Sequence, residues 1–488
     1  MPGSSAPREK NPRREKPGNT GSSANPGRRP AHRRPPARKK PVPSRLPSLI
    51  ALLIAVPVIL VAGLQISGKM GEETPLPEEK TYAPPPGKAL QVVSSATLCS
   101  TGDLLMHEPI FGGGYLAECY GDGEYNFSTL FQYLSDYVGQ YDYAVANLET
   151  TLAGPELPYQ GYPAFNTPDQ LVPALRSAGF DLLLTANNHC NDNGLPGMTR
   201  TLEVIRNRSM ETLGTRLTGE EKPYVIADLN GIRLGMLCYT YEDSHTPGTR
   251  TLNGNPLAPG AENLVCTFPL YGGEEARAGF YQSVADSLSA MEAEGADASV
   301  IYLHWGEEYR LNPTEDQRRM AQKLCDLGVD VIIGSHPHVA EPVELLTSGL
   351  DESHKTVCLY SLGNAVSNQR LGNIDAISTA HTEDGMLFNC TFRKYSDGST
   401  YLTGVEVIPT WVNMFGNAAG HREYNILPLD NSCRQQWKQR FDLSDRSLDA
   451  AWQSYERTMN IVGKGLGETN IWLSRENHQR QTGETPAA

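Results

Sequence analysis

The sequence predicts an α/β domain outside the cytoplasm, joined to the membrane by one N-terminal helix. Three observations predict it. β-rich runs alternate with helical patterns from residue 91 onward, 21 consecutive residues carry no charge, and basic residues crowd just before that uncharged run.

Charge is divided unevenly along the 488 residues. Residues 1–45 hold 13 Lys and Arg against two Glu, which leaves 29 basic and 54 acidic residues for the remainder. The net −14 is therefore the sum of a +11 arm and a −25 body. The arm is rich in Pro, Gly, Ser, Arg and Lys and nearly free of aliphatic residues, a composition that cannot build a core. Residues 46–66 follow as an apolar run long enough to span the ~30 Å of bilayer hydrocarbon. Arg38, Lys39, Lys40 and Arg45 precede it, while Glu72 and Glu73 follow. The positive-inside rule puts the N-terminus in the cytoplasm and the rest outside. An arm of 45 residues is too long for an ordinary cleaved signal, so an uncleaved anchor is expected. Its position assigns the arm's charge to topology and anionic membrane lipid rather than to nucleic acid. Nine cysteines without CxxC spacing define no disulfide framework.

Residues 67–90 read as a Pro-stiffened linker, residues 91–424 as the main domain, and 425–488 as a helical extension and tail. Expected strands are 92–100, 143–148, 182–185, 298–303, 329–333 and 356–360. A hairpin is expected over 225–241, turned by Asn230-Gly231, and a strand pair at 386–392 and 401–408 around Asp397-Gly398. Helical periodicity marks 168–178, 197–207, 276–294, 314–327 and 444–462. Residues 242–273 form a long segment rich in Gly, Pro and Thr, a candidate lid or partner surface.

Each of six expected strands runs into a polar cluster: Gly102-Asp103 with His107 beyond, Asn147-Leu148-Glu149, Asn187-Asn188-His189, His304-Trp305-Gly306-Glu307-Glu308, His336-Pro337-His338, and Gly363-Asn364. Taken singly, each has a plain structural alternative, such as a turn, a helix cap or a core histidine. Their shared placement matters because ligands of open α/β sheets gather at the carboxyl ends of strands. Oxygen and imidazole donors without a thiolate group suit Mn, Fe or Zn. Two such ions sharing one carboxylate would activate a water for attack on phosphorus or another electrophile. Cys190, beside His189, is expected to pack rather than react.

The series GDLLMH, NLET, ANNH, HWGEEY, GSHPHV and YSLGN resembles the CapA family of bacterial capsule-synthesis (poly-γ-glutamate biosynthesis) proteins, within the calcineurin-like metallophosphoesterase superfamily. The resemblance covers roughly residues 92–415 and implies a four-layer αββα sandwich. It places Asp103 and His338 on one divalent metal and Asn188, His304 and His336 on a second, with Glu149 bridging. His189 becomes the catalytic proton donor or charge stabiliser. The superfamily's first motif is Asp-x-His, but Leu105 stands where that histidine belongs, so His107 is a substitute candidate; Glu149 replaces a bridging Asp. Asn147 and Glu307 are further metal or substrate candidates, and Trp305, Glu307, Glu308 and Tyr309 are expected at the cleft mouth. The implied function is a metal-dependent hydrolase in capsule or envelope polymer biogenesis. It would meet an anionic polymer or phosphorylated substrate and other capsule-synthesis proteins. The rival is a non-catalytic export or assembly factor.

Overall fold

β-branched and aliphatic runs separated by amphipathic stretches fold here into two sheets with helices outside them. The computed structural model describes residues 88–111, 120–121, 124–246, 248–417, 420 and 422–484. The arm, the segment 46–66 and nearly all of the linker lie outside these residues. Among the described residues, no helix is long and apolar enough to cross a membrane.

In chain order, the first sheet takes β1 (Val92–Leu104) and β2 (Tyr143–Asn147); α1 (Leu171–Ser177) then leads to β3 (Leu182–Leu184), and α2 (Gly194–Arg206) to β4 (Glu211–Leu213). The second sheet begins with the hairpin β5 (Tyr224–Leu229) and β6 (Ile232–Glu242). Asn230 and Gly231 both adopt positive φ at that turn, as a two-residue connection requires. β7 (Thr267–Pro269), α3 (Ala278–Ala293), β8 (Ala298–His304), α4 (Glu315–Asp326), β9 (Val331–Ser335), β10 (Val343–Thr347) and β11 (Lys355–Leu359) complete it. The chain then returns to the first sheet through β12 (Asn364–Val366), β13 (Asp384–Tyr395), β14 (Thr400–Gly416) and β15 (Arg422–Pro428), and ends in α5 (Asp445–Thr482).

The first sheet has the order β15-β14-β13-β1-β2-β3-β4, with β12 beside the far end of β1. The second runs β7-β6-β8-β9-β11-β10, with β5 on β6. Strands β1 to β4 are mutually parallel, as are β6, β8, β9 and β11, so the carboxyl ends within each set emerge on one edge.

Alternation along each strand divides its residues between two cores. Leu98, Val145, Leu182 and Leu184 meet Leu234, Met236, Val300 and Ile333 between the sheets. The Ser100 and Tyr302 hydroxyls, 2.9 Å apart, bridge the same interface. On the outer side of the first sheet, Ala144, Ala146 and Leu183 pack with Leu171 and Leu175 of α1 and Ile205 of α2. On the other outer side, Ile301, Leu303 and Ile332 pack with Phe280 and Val284 of α3 and Met320 and Leu324 of α4. The layers are thus helix, sheet, sheet, helix.

The C-terminal region is more integrated than its polar composition suggests. The boundary expected at 424 falls inside β15, and α5 belongs to the same compact unit, Tyr82–Ala488. Ser444 caps α5 by accepting from Ser447 N–H at 3.1 Å, and the helix continues for 38 residues, well past 462. Val462 and Leu473 enter the inter-sheet core. Arg457 holds the buried Asp384 through bonds of 2.6 and 2.7 Å, and burial still pushes that carboxyl up to about 7. Gly465 answers to close approach, because a Cβ there would lie 1.8 Å from the Val343 carbonyl oxygen.

Candidate metal centre

Strand register assembles the centre before any loop is considered. Asp103, near the end of β1, lies level with Asn147 on β2 and Asn364 on β12. In the second sheet, His304 at the end of β8 lies level with Ser335 on β9, so His336 and His338 follow immediately beside it. Asp103 and Glu149 are fully buried, and Asn188, His304, His336 and His338 nearly so.

The ligand atoms converge in two groups, Glu149–His336–His338 and Asp103–Glu149–His304, each with its members within 4.8 Å of one another. Glu149 belongs to both. Direct pairing divides the set differently: Asp103 Oδ2 faces His338 Nδ1 at 3.0 Å, and Asn188 Oδ1 faces His304 Nε2 at 2.8 Å. Neither carboxylate oxygen of Glu149 finds a hydrogen-bond partner, and neither does His336 Nδ1. Glu149 Oε1 lies 3.4 Å from His304 Nε2 and 3.8 Å from His338 Nε2. A buried carboxylate in that condition carries a large desolvation cost unless a positive charge offsets it. The donor set and its orphaned atoms therefore fit a divalent cation.

Burial alone would raise the Asp103 pKa, but the hydrogen bond and charge of His338, then His304 and Asn147, hold it below the usual carboxylate range. Burial opposes charge on His338, yet Glu149 and the hydrogen-bonded Asp103 keep its pKa up at about 9. Burial and the neighbouring His304, His338 and His189 push the His336 pKa well down. His336 and His338 both adopt positive φ, 96° and 57°. Such backbone is held here by bonds from His336 N–H to Asp103 (3.3 Å) and from Tyr309 N–H to the Pro337 carbonyl (2.8 Å).

His189 stands beside the ligand groups and outside both. Its Nδ1 lies 2.8 Å from Asp192 Oδ2, and Phe165 packs against the ring at 4.6 Å. Asn147 is a buttress: its Nδ2 donates to Asp103 Oδ1 at 2.7 Å and lies 3.3 Å from His304 Nδ1. His107 is in neither ligand group; its Nδ1 lies 3.1 Å from the Leu105 carbonyl and accepts from Asn368 N–H at 3.3 Å. Burial lowers its pKa to about 4. Glu307 is exposed and pairs with Arg310 at 2.8 Å, away from the cluster. Trp305 corrects the cleft-mouth expectation, because it is buried in the outer core and donates Nε1–H to the Tyr360 carbonyl at 2.9 Å. Glu308 is exposed, while Tyr309 lies 6.3 Å from the His338 ring. Cys190 packs with Leu252 and Leu257, and burial pushes its thiol up to about 12.

Several residues of the site were assigned no role from the sequence. Tyr241 ends β6 and packs against His336 at 4.9 Å. Asn364 Oδ1 lies 3.1 Å from His338 Nδ1, and Asp192 orients His189. Asn253 reaches both Asn188 and His189 from the long 242–273 segment, and its Asn-Gly dipeptide was the one available signal.

The chain is 25% identical to the PGA biosynthesis protein CapA of Bacillus subtilis over 73% of its own length and 80% of that protein's. It is 26% identical to the capsule biosynthesis protein CapA of Bacillus anthracis, covering 56% of this chain and 60% of that one. A crystal structure of the calcineurin-like phosphoesterase YfkN from Bacillus subtilis aligns over 78% of this chain and 98% of that chain, with a TM-score of 0.34 and 14% identity. Residues 97–369 match the family described as bacterial capsule synthesis protein PGA_cap. That span exceeds half of the 488 residues and includes every ligand of the buried cluster, and the chain belongs to this family.

Proposed function

We propose that this protein is a membrane-anchored, extracytoplasmic metal-dependent hydrolase of the phosphoesterase type, acting in the biosynthesis of an anionic capsule polymer such as poly-γ-glutamate. The observation that carries the hydrolase reading is Glu149, a buried carboxylate that accepts no hydrogen bond at either oxygen and is shared by two ligand groups. Its setting, a helix–sheet–sheet–helix fold with the ligands at strand ends, suits the metallophosphoesterase superfamily. Asp103 and His338 would hold one divalent ion (Mn, Fe or Zn), Asn188, His304 and His336 the other, and Glu149 both. When bound, the ions supply Lewis-acid charge and make a water nucleophilic near neutral pH.

The chain's own residues supply orientation and a proton. Starting as the imidazolium, with Asp192 at Nδ1 fixing the ring, His189 would give its Nε2 proton to the leaving oxygen and return to the Nδ1–H form. Asn147 and Asn364 hold Asp103, His304 and His338 in place. The second reading is a non-catalytic export or assembly factor for an anionic polymer; the acidic body and the exposed Glu308 disfavour its capturing a polyanion by charge alone.

Full-length protein purified without chelator should carry about two divalent ions per chain, as a two-metal site requires, and should hydrolyse an aryl phosphate or phosphodiester. Chelation should abolish that activity and restored metal should recover it. Failure to take up any metal sinks the centre, while metal uptake without hydrolysis of any compound in a broad phosphoester panel selects the assembly factor. For the anchor, protease added to cells stripped of wall should digest the domain beyond residue 67 and leave residues 1–45 protected. Full protection of the domain would reverse the topology.

A further inference from the structure

Asn253 occupies the tip of a short hairpin in which Thr251–Leu252 pairs with Asn255–Pro256. Asn253 and Gly254 adopt φ of 50° and 70°, which reverses the chain within two residues. Asp243 fastens this hairpin, accepting from the Thr251 hydroxyl at 2.5 Å and from Gly254 N–H at 2.8 Å. The tip is thereby fixed over the centre.

Donor and acceptor roles around Asn253 follow from the carboxylates at either end. Asp103 Oδ1 can only accept, so the Asn147 atom 2.7 Å from it is the amide nitrogen. That nitrogen also lies 3.3 Å from His304 Nδ1. Asn188 Oδ1 faces His304 Nε2 at 2.8 Å, and Asn188 Nδ2 donates to Asn253 Oδ1 at 3.1 Å. The Tyr241 hydroxyl donates to the same oxygen at 3.4 Å. Asn253 Nδ2 is left facing His189 Nε2 at 3.4 Å, and His189 Nδ1–H donates to Asp192 at 2.8 Å. An unbroken series of bonds thus joins Asp103 to Asp192 through Asn253.

We infer that Asn253 is a positioning residue that turns the oxygen of Asn188 toward the metal cluster and fixes the tautomer of His189. An asparagine ligand must present oxygen to a cation, and the two ends of its amide are nearly the same in shape. Asn253 Oδ1 distinguishes them by accepting from the nitrogen end. On the other side, its amide N–H selects the His189 tautomer with an acceptor at Nε2. The 3.4 Å bond is long, so it yields readily when Nε2 takes up a proton. This assignment rests on the metal-hydrolase reading, with Asn188 as ligand and His189 as proton donor.

Two variants separate these roles without straining the backbone. Asn253→Gly suits a positive φ and removes the whole amide. Asn253→Asp keeps an oxygen facing Asn188 but places a second oxygen where the N–H met His189. Full-length wild type and variants would be titrated with Mn and Zn, and ¹⁵N-histidine spectra recorded before and after loading. Asn253→Gly should weaken metal binding by ~10–100-fold, the usual effect of losing a residue that orients a ligand. Asn253→Asp should stay within about threefold of wild type in metal affinity while its His189 signal moves to the doubly protonated form, because carboxylates then face both ring nitrogens. In turnover, Asn253→Asp should lower kcat with KM little changed, because the new carboxylate retains the proton that His189 must deliver. Wild-type metal affinity together with an unchanged His189 tautomer in Asn253→Gly would overturn the assignment. If wild type binds no metal, the hydrolase reading fails, and an unaltered His189 signal in both variants then also refutes the tautomer role.

Discussion

Replacing Glu149 with alanine is expected to remove metal from both ligand groups and to abolish the heat stability that loading confers. In wild type, metal that binds only the folded chain stabilises it by ~2.7 kcal/mol at a hundredfold excess over its dissociation constant. The Glu149→Ala protein should show no such gain. Stripped of metal, however, it should melt no lower than stripped wild type, because the substitution also deletes a buried carboxylate that accepts no hydrogen bond at either oxygen. Thermal melts of both proteins with and without added Mn or Zn make the comparison. A variant that still gains stability from metal as wild type does would show that Glu149 is not shared between ions.

Replacing His189 with alanine should leave metal content nearly unchanged and reduce hydrolysis by ~10²–10⁴, the usual contribution of a positioned acid–base group. The expectation rests on placement, since the ring is held by Asp192 and Phe165 beside the ligands but outside either group. The loss should appear in kcat more than in KM, because the proton is needed only as the leaving oxygen departs. Turnover within a few-fold of wild type would remove His189 from the chemistry. Loss of metal in step with activity would make it a ligand instead.

Local pattern and long-range pairing explain which parts of this molecule could be read in advance. The helices around 168–178, 197–207, 276–294 and 314–327 matched their apolar periodicity to within a few residues at each end. The last was sharpened by Thr314 and Gln317, which form a reciprocal cap. β1 ran past its expected end at Ser100, because Asp103 and Leu104 pair with Asn364 and Val366, partners more than 250 residues distant. Glu307 was singled out for its nearness to His304, yet positive φ at Gly306 and Tyr309 bends the chain after β8 and sends that carboxylate to solvent. The convergence of polar residues directly at strand ends was legible because the end of a parallel strand has a direction. Asn253 lay in a segment without periodicity, and its approach to Asn188 depends on a fold that brings together residues 65 apart. The full extent of α5 was obscured by Gly463, Gly465 and Gly467, which are weak helix formers, although Gly465 is there to admit β10.

Leu90 N–H donates to the Arg480 carbonyl at 2.8 Å, which brings the entry of the domain beside the final turns of α5. From Val92 to Asp103, β1 then traverses the molecule, about 36 Å at ~3.3 Å per strand residue. Residues 90 and 480 therefore adjoin at one end of β1, and Asp103 lies at the other. An affinity handle or fluorescent fusion attached before residue 88 or after residue 484 would stand clear of the substrate entrance. The same proximity makes the domain suitable for circular permutation: a short Gly/Ser bridge from Arg480 to Leu90 would close the old termini. New ends could be opened at the exposed turn around Gly398, far from any ligand in sequence and carrying no strand pairing of its own.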